Sequence, residues 1–147
     1  MIVWISKSLV LAIHDRQLAE HGGSSGLRDD HLLESALAKP QQLHAYGDPP
    51  PDLADLAASL AHGLAKNHAF VDGNKRTSHV SYRTFLELNG AELIADDEAK
   101  YISILALADG TLSEHEFASW LRAHLKLPKH LQVNAPAARP RRRRRAG

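Results

Sequence analysis

The chain has 147 residues, of which 44% are apolar, so one ordinary hydrophobic core and a tail can be built from it. Cysteine is absent, which excludes a disulfide scaffold or thiolate metal site and points to a reducing compartment. The formal charge of +1 hides an asymmetry: Arg139, Arg141, Arg142, Arg143, Arg144 and Arg145 carry six positive charges, and without them residues 1–138 stand at −5. The body is mildly acidic, and the overall charge says little about its functional surface.

The apolar start at Met1-Ile2-Val3-Trp4-Ile5 is too short for a secretory core and Ser6-Lys7 follows at once. No run approaches the roughly 18 apolar residues that span a bilayer, so a soluble cytoplasmic protein without membrane partners is expected. Ser6 can cap a helix over residues 6–21, with Leu9, Val10, Ile13 and Leu18 near the 3.6 period and Gly22-Gly23 ending it. A second helix starts at Asp29 or Asp30 and carries Leu32, Leu33, Ala36 and Leu37, and Pro40 is expected to stop it. Residues 40–51 read as a loop, with Gly47 and three consecutive prolines. Asp52 caps a third helix to about residue 67, so rich in alanine and leucine that it should be central and buried.

A further helix is predicted over residues 74–89, closed by Gly90, and residues 91–95 read as a short strand that could pair with residues 2–5. Asp96 or Asp97 opens a helix to about residue 108, stopped by Gly110, and Ser113-Glu114-His115-Glu116 is a capping box for a last helix to about residue 125. Past Pro128 no periodicity survives. The expected organisation is one all-α domain over residues 1–128 and a disordered, arginine-rich tail over residues 129–147.

The chemistry is concentrated in His68-Ala69-Phe70-Val71-Asp72-Gly73-Asn74-Lys75-Arg76. A helix ends just before this segment and another begins within it, and the first turn of a helix offers unpaired N–H groups and the positive end of the dipole to an anion. Gly73 lets the backbone approach a phosphate without a Cβ in the way. Lys75 and Arg76 add a point charge and a fork. Such cations oppose the dipole at a helix start, a conflict that a bound phosphate removes. Asp72 is a hard oxygen ligand of the kind Mg2+ uses beside phosphate oxygens, and His68 can act as general base. Phe70 should point into the core and pin the loop. Base, metal ligand, anion cradle and charge clamp together serve phosphoryl or nucleotidyl transfer.

His68-x-Phe70-x-Asp72-Gly73-Asn74-Lys75-Arg76 resembles the signature of the Fic/Doc superfamily. Ile13-His14-Asp15, His21-Gly22-Gly23, Gly26-Leu27-Arg28-Asp29 and Leu33-Glu34-Ser35-Ala36-Leu37-Ala38-x-Pro40 are similar to the N-terminal half of death-on-curing proteins, so the likeness covers roughly residues 8–125. It implies a Fic-type helical bundle in which His68 deprotonates a target hydroxyl and Asp72 holds Mg2+. Gly73 and Asn74 would form the anion cradle, and Arg76 would contact phosphates of ATP. Most of the superfamily has glycine where this chain has Lys75, and transfers AMP. Lysine there resembles the death-on-curing subgroup, which implies catalysis with a reversed nucleotide: a kinase of protein Ser/Thr hydroxyls, its family target elongation factor Tu, acting as the toxin of a toxin–antitoxin pair. Lys66 departs from the arginine expected at its position, keeping the charge but losing the fork.

No serine or threonine has glutamate four positions on, so the short inhibitory helix of many Fic proteins is absent and the implied restraint is an antitoxin supplied in trans. Residues 41–47, with Leu43, His44 and Tyr46, are either a flap that holds the target beside the pocket or a plain exposed connection. AMP transfer is the alternative reaction. A nucleic-acid-binding module using the arginine run is the alternative of another class, weakened by the acidic body and the lack of an aromatic in the tail. His14-Asp15 resembles an HD-type metal phosphohydrolase, but no histidine precedes residue 14, and His14 reads as a plain helix-face histidine. No Gly-x-x-x-x-Gly-Lys-Ser/Thr occurs in the chain, so Gly73-Asn74-Lys75 is not a P-loop.

Overall fold

The computed structural model describes residues 1–128; the arginine run and the expected tail lie outside the described residues. Six helices and one two-stranded sheet make up the described fold, which is all-α in class. Helix α1 (Lys7–His21) starts where Ser6 accepts a hydrogen bond from the Leu9 amide at 3.2 Å and stops at Gly22. Helix α3 (Leu53–Lys66) begins with a reciprocal capping box between Asp52 and Asp55. Of its 14 residues 11 are buried, which makes it the axis of the bundle, as its alanine-rich composition predicts. Around it pack α2 (Asp30–Tyr46), α4 (Asn74–Leu88), α5 (Asp97–Asp109) and α6 (Glu114–His124). The α2–α3 crossing is close because α3 presents Gly63, where a Cβ would sit 3.2 Å from Ala36.

The structure corrects the sequence reading in two places. Helix α2 does not stop at Pro40 but runs through it to Tyr46. Proline inside a helix forfeits one backbone hydrogen bond and crowds the preceding turn, at about 3 kcal/mol. Here the apolar face outweighs that loss: Leu33, Ala36 and Pro40 fall on one buried stripe, and Leu43 continues it against the core. Residues 41–46 are therefore helical, where the sequence reads as a loop. Leu43 packs on the core, His44 meets the edge of Trp4 at 5.6 Å, and Tyr46 projects into solvent. None of the three lines the pocket beside the motif.

The second correction concerns the strands. Strand β1 (Glu92–Leu93) pairs antiparallel with β2 (Leu125–Lys126), Glu92 opposite Lys126 and Leu93 opposite Leu125, and not with residues 2–5. The N-terminal segment is held instead by a side chain. The Val3 amide donates to Asn89 Oδ1 at 2.8 Å and Asn89 Nδ2 donates to the Val3 carbonyl at 2.9 Å. With its polar backbone satisfied at the end of α4, this segment inserts Ile5 into the core and stacks Trp4 on Phe85, leaving the edge of β1 to the chain that follows α6.

Candidate functional site

Between α3 and α4 the chain makes a tight loop that turns some residues inward and others to the surface. Ala69 and Phe70 are buried, while His68, Val71 and Asp72 are exposed. Residues 26–29 run alongside and fix it. The Ala69 carbonyl accepts from the Arg28 and Asp29 amides at 2.7 and 3.0 Å, the Val71 amide donates to the Gly26 carbonyl at 3.1 Å, and Leu27 faces Phe70 as an antiparallel bridge. Phe70 fills the core and pins the loop, as its place in the motif predicts. Its ring stacks on His14 at 3.8 Å.

His68 has a positive φ of 53°, a left-handed conformation that non-glycine residues adopt at a cost and that clusters at functional loops. Arg28 stabilises it from outside: Nε donates to the His68 carbonyl at 2.8 Å, and the guanidinium also reaches the Asn67 carbonyl at 3.4 Å. The imidazole itself stays free to face the pocket.

The Asp72 carboxylate accepts from its neighbour's amide at Gly73 (2.8 Å) and from the Ser24 amide (3.3 Å). Its main-chain oxygen accepts from His14 Nε2 at 2.8 Å. Gly73 takes φ 80°, ψ 17° and starts α4. Asn74 is buried, and its carboxamide closes the loop, accepting from the Phe70 amide at 3.0 Å and donating to the Phe70 carbonyl at 2.9 Å. The expected anion cradle therefore reduces to backbone at residues 73–76, with the Asn74 side chain shaping that backbone from below.

The start of α4 differs from every other described helix. Ser6, Asp29, Asp52, Asp96 and Ser113 each cap their helices with a side-chain oxygen. Helix α4 has no side-chain cap and no acid in its first turn; that turn instead carries Lys75 and Arg76, both exposed and without an ion-pair partner among the described residues. Free N–H groups, the positive end of a helix dipole and two cations converge there, an arrangement suited to an anion.

These groups open onto one pocket of about 450 Å3 lined by His68, Asp72, Gly73, Asn74, Lys75 and Arg76. The sequence-predicted motif residues are thus brought together. Its opposite wall was not foreseen: Tyr101, Ile104, Leu105 and Ala108 of α5, ending at Asp109. Their spacing marks one face of a helix, but a spacing does not say which loop that face will meet. The same wall explains Lys66, whose ammonium donates to the Ala108 carbonyl at 3.2 Å and so ties the end of α3 to the end of α5. Asp109 is held below the usual carboxylate range, chiefly by hydrogen bonds from the Thr111 hydroxyl and amide, with the charges of Lys66 and Lys75 adding to the effect. Two further participants escaped the sequence reading. His14, read as a plain helix-face histidine, is 2% exposed and supports the loop, and Arg28 clamps the backbone of His68. No helix among the described residues is long and apolar enough to cross a membrane.

Comparison with known proteins agrees with the motif. The sequence profile of the Fic/DOC family matches residues 4–86. "Toxin Doc" of Mycolicibacterium smegmatis (strain ATCC 700084 / mc(2)155) is 51% identical over 76 residues, which span 51% of this chain and 58% of that protein. "Protein kinase doc" of Escherichia phage P1 is 31% identical over 118 residues, 80% of this chain and 92% of that protein. Motif, helical fold and likeness converge: the chain belongs to the Fic/DOC family.

Proposed function

We propose that this chain is a cytoplasmic toxin of the Fic/DOC family that transfers the γ-phosphoryl group of Mg-ATP to a serine or threonine hydroxyl of a protein, and that an antitoxin restrains it in trans. The observation that carries this reading is the start of α4, uncapped and doubly cationic, facing the pocket that His68 and Asp72 also line. In phosphoryl transfer the protein contributes mainly positioning and charge stabilisation. His68 takes the proton from the target hydroxyl. The amides of the first turn, Lys75 and Arg76 hold the phosphate chain, and the apolar face of Tyr101, Ile104 and Leu105 gives the nucleoside a wall.

The residues fit Mg2+. Among the described residues no cluster of three or more His, Cys, Asp or Glu forms a closed cage; the exposed Asp72 carboxylate adjoins the start of α4, with Asp109 on the opposite wall of the pocket. Sparse, hard oxygen donors of this kind suit Mg2+. When bound, the ion would neutralise phosphate charge, with Asp72 as its protein ligand.

The names of the two relatives support the toxin and kinase parts of this reading, and the family resemblance makes elongation factor Tu the first target to try. Lys75 is the residue that favours phosphoryl over AMP transfer. The test supplies the protein and a cell extract with ATP labelled separately on the α- and γ-phosphates. Label from γ alone on a protein band is expected; label from α would sink the kinase reading in favour of nucleotidyl transfer. His68→Ala should abolish transfer, and Lys75→Gly should lower γ-label more than it lowers nucleotide binding.

A further inference from the structure

We infer that His14 is a positioning residue for the motif loop, setting the direction in which Asp72 presents its carboxylate; the functional part of this inference rests on the Mg-nucleotide reading above. His14 lies in the middle of α1, remote in sequence from the motif, and is 2% exposed. It contacts the loop in two ways. Its ring lies flat on Phe70, with centroids 3.8 Å apart and planes 11° from parallel. Its Nε2 stands 2.8 Å from the main-chain oxygen of Asp72. A carbonyl oxygen only accepts, so Nε2 is the donor and carries the proton.

The peptide joining Asp72 to Gly73 is thereby held at both ends. His14 holds its oxygen, and the Asp72 carboxylate accepts from its N–H at 2.8 Å. Rotating this peptide would break both bonds and swing the carboxylate away from the Ser24 amide. It would also reorient Gly73, whose left-handed backbone aims the first turn of α4 at the pocket. The side of Gly73 toward α1 is closed by His14 and Leu18, which stand 3.6 and 3.5 Å from where a Cβ would be. The ring of His14 is thus a floor beneath residues 70–73, and its N–H selects one orientation of the loop on that floor. Groups that orient a metal ligand from behind typically change metal affinity by about 10–100-fold when removed.

Two variants separate the donor from the ring. His14→Phe keeps an aromatic ring on Phe70 and removes the donor; His14→Gln keeps a donor of similar reach and removes the ring. Amide hydrogen exchange over residues 70–74 is measured in the full chain without ligand, and the Mg2+ requirement is read from calorimetric binding of a non-hydrolysable ATP analogue. In His14→Phe, exchange should accelerate and the Mg2+ concentration for half-saturation should rise about tenfold, with His14→Gln close to wild type in both. Equal losses in the two variants would assign His14 to core packing alone, and wild-type behaviour of His14→Phe would overturn the inference outright. Should His14→Phe not fold, His14→Asn, too short to reach the carbonyl, takes its place with the same expected outcome. A wild-type protein that binds no Mg-nucleotide would refute the proposed function, and the exchange measurement alone would then decide for or against His14.

Discussion

The Asn74 carboxamide makes a closed pair of hydrogen bonds with the backbone of Phe70, accepting from its N–H at 3.0 Å and donating to its carbonyl at 2.9 Å. Phe70 is 3% exposed, so water cannot replace either bond. Asn74→Ala should therefore leave a buried donor and a buried acceptor without partners, at about 1–3 kcal/mol for each. Urea unfolding should show the loss, and nucleotide binding should fail even where the protein remains folded. Asn74→Asp should do no better, because a carboxylate offers the Phe70 carbonyl an acceptor where it needs a donor.

Gly23 and Gly22 give a matched pair. At Gly23 (φ 123°) a Cβ would lie 2.8 Å from Asp72 Oδ2 and 3.0 Å from the Leu18 side chain, whereas at Gly22 (φ 78°) it would meet nothing within 4 Å. Both alanine variants carry backbone strain of about 1–3 kcal/mol. Only Gly23→Ala displaces the carboxylate. Its Mg2+ concentration for half-maximal transfer should rise several-fold above that of Gly22→Ala, as a titration of rate against Mg2+ would show.

Arg28 touches the pocket only through the backbone of His68. Removing it should relax the left-handed turn at His68 without taking any group from the reaction. Misplacement of a reacting group by about 1 Å can cost about 100-fold, so Arg28→Ala should lower kcat by about 10–100-fold while the KM for ATP changes little. Arg28→Lys should recover part of the rate, since one donor can still reach the carbonyl. An unchanged kcat in Arg28→Ala would remove this residue from the site.

Stability should depend on pH through His79. Burial, reinforced by the charges of Arg83 and Lys100, lowers its imidazole from 6.5 to about 4, so it is neutral in the folded state where the unfolded chain binds a proton. Between about 6.5 and 4 the unfolded state holds more protons, and stability falls as the pH drops through that window. His62, also lowered, chiefly by burial and then by Lys39, acts with the same sign. His79→Phe, which keeps an aromatic ring against Tyr82 and Tyr101, should flatten the dependence. Urea midpoints measured between pH 7 and pH 5 would show the same slope in His79→Phe as in the wild type if this assignment is wrong.

Much of this protein could be read from local chemistry. Side-chain caps at Ser6, Asp52 and Ser113, terminators at Gly22 and Gly110, and the apolar density of residues 53–65 act over a few residues, and the structure agrees with each. The motif from His68 to Arg76 is contiguous, so its residues meet in one pocket almost by necessity. What sequence alone determined is therefore the helical class, the loop with its candidate site residues, and the unbalanced charge at the start of α4. Tertiary structure decided the rest. It carried α2 through Pro40 because burial of one face outweighs a lost backbone bond, and thereby made residues 41–46 helical. It gave β1 a partner from the far end of the domain because Asn89 had already satisfied the N-terminal segment. It brought Arg28, His14 and the face of α5 to the loop from positions 40, 58 and some 30 residues distant. Contacts of that range depend on how helices pack around α3, which no local pattern encodes.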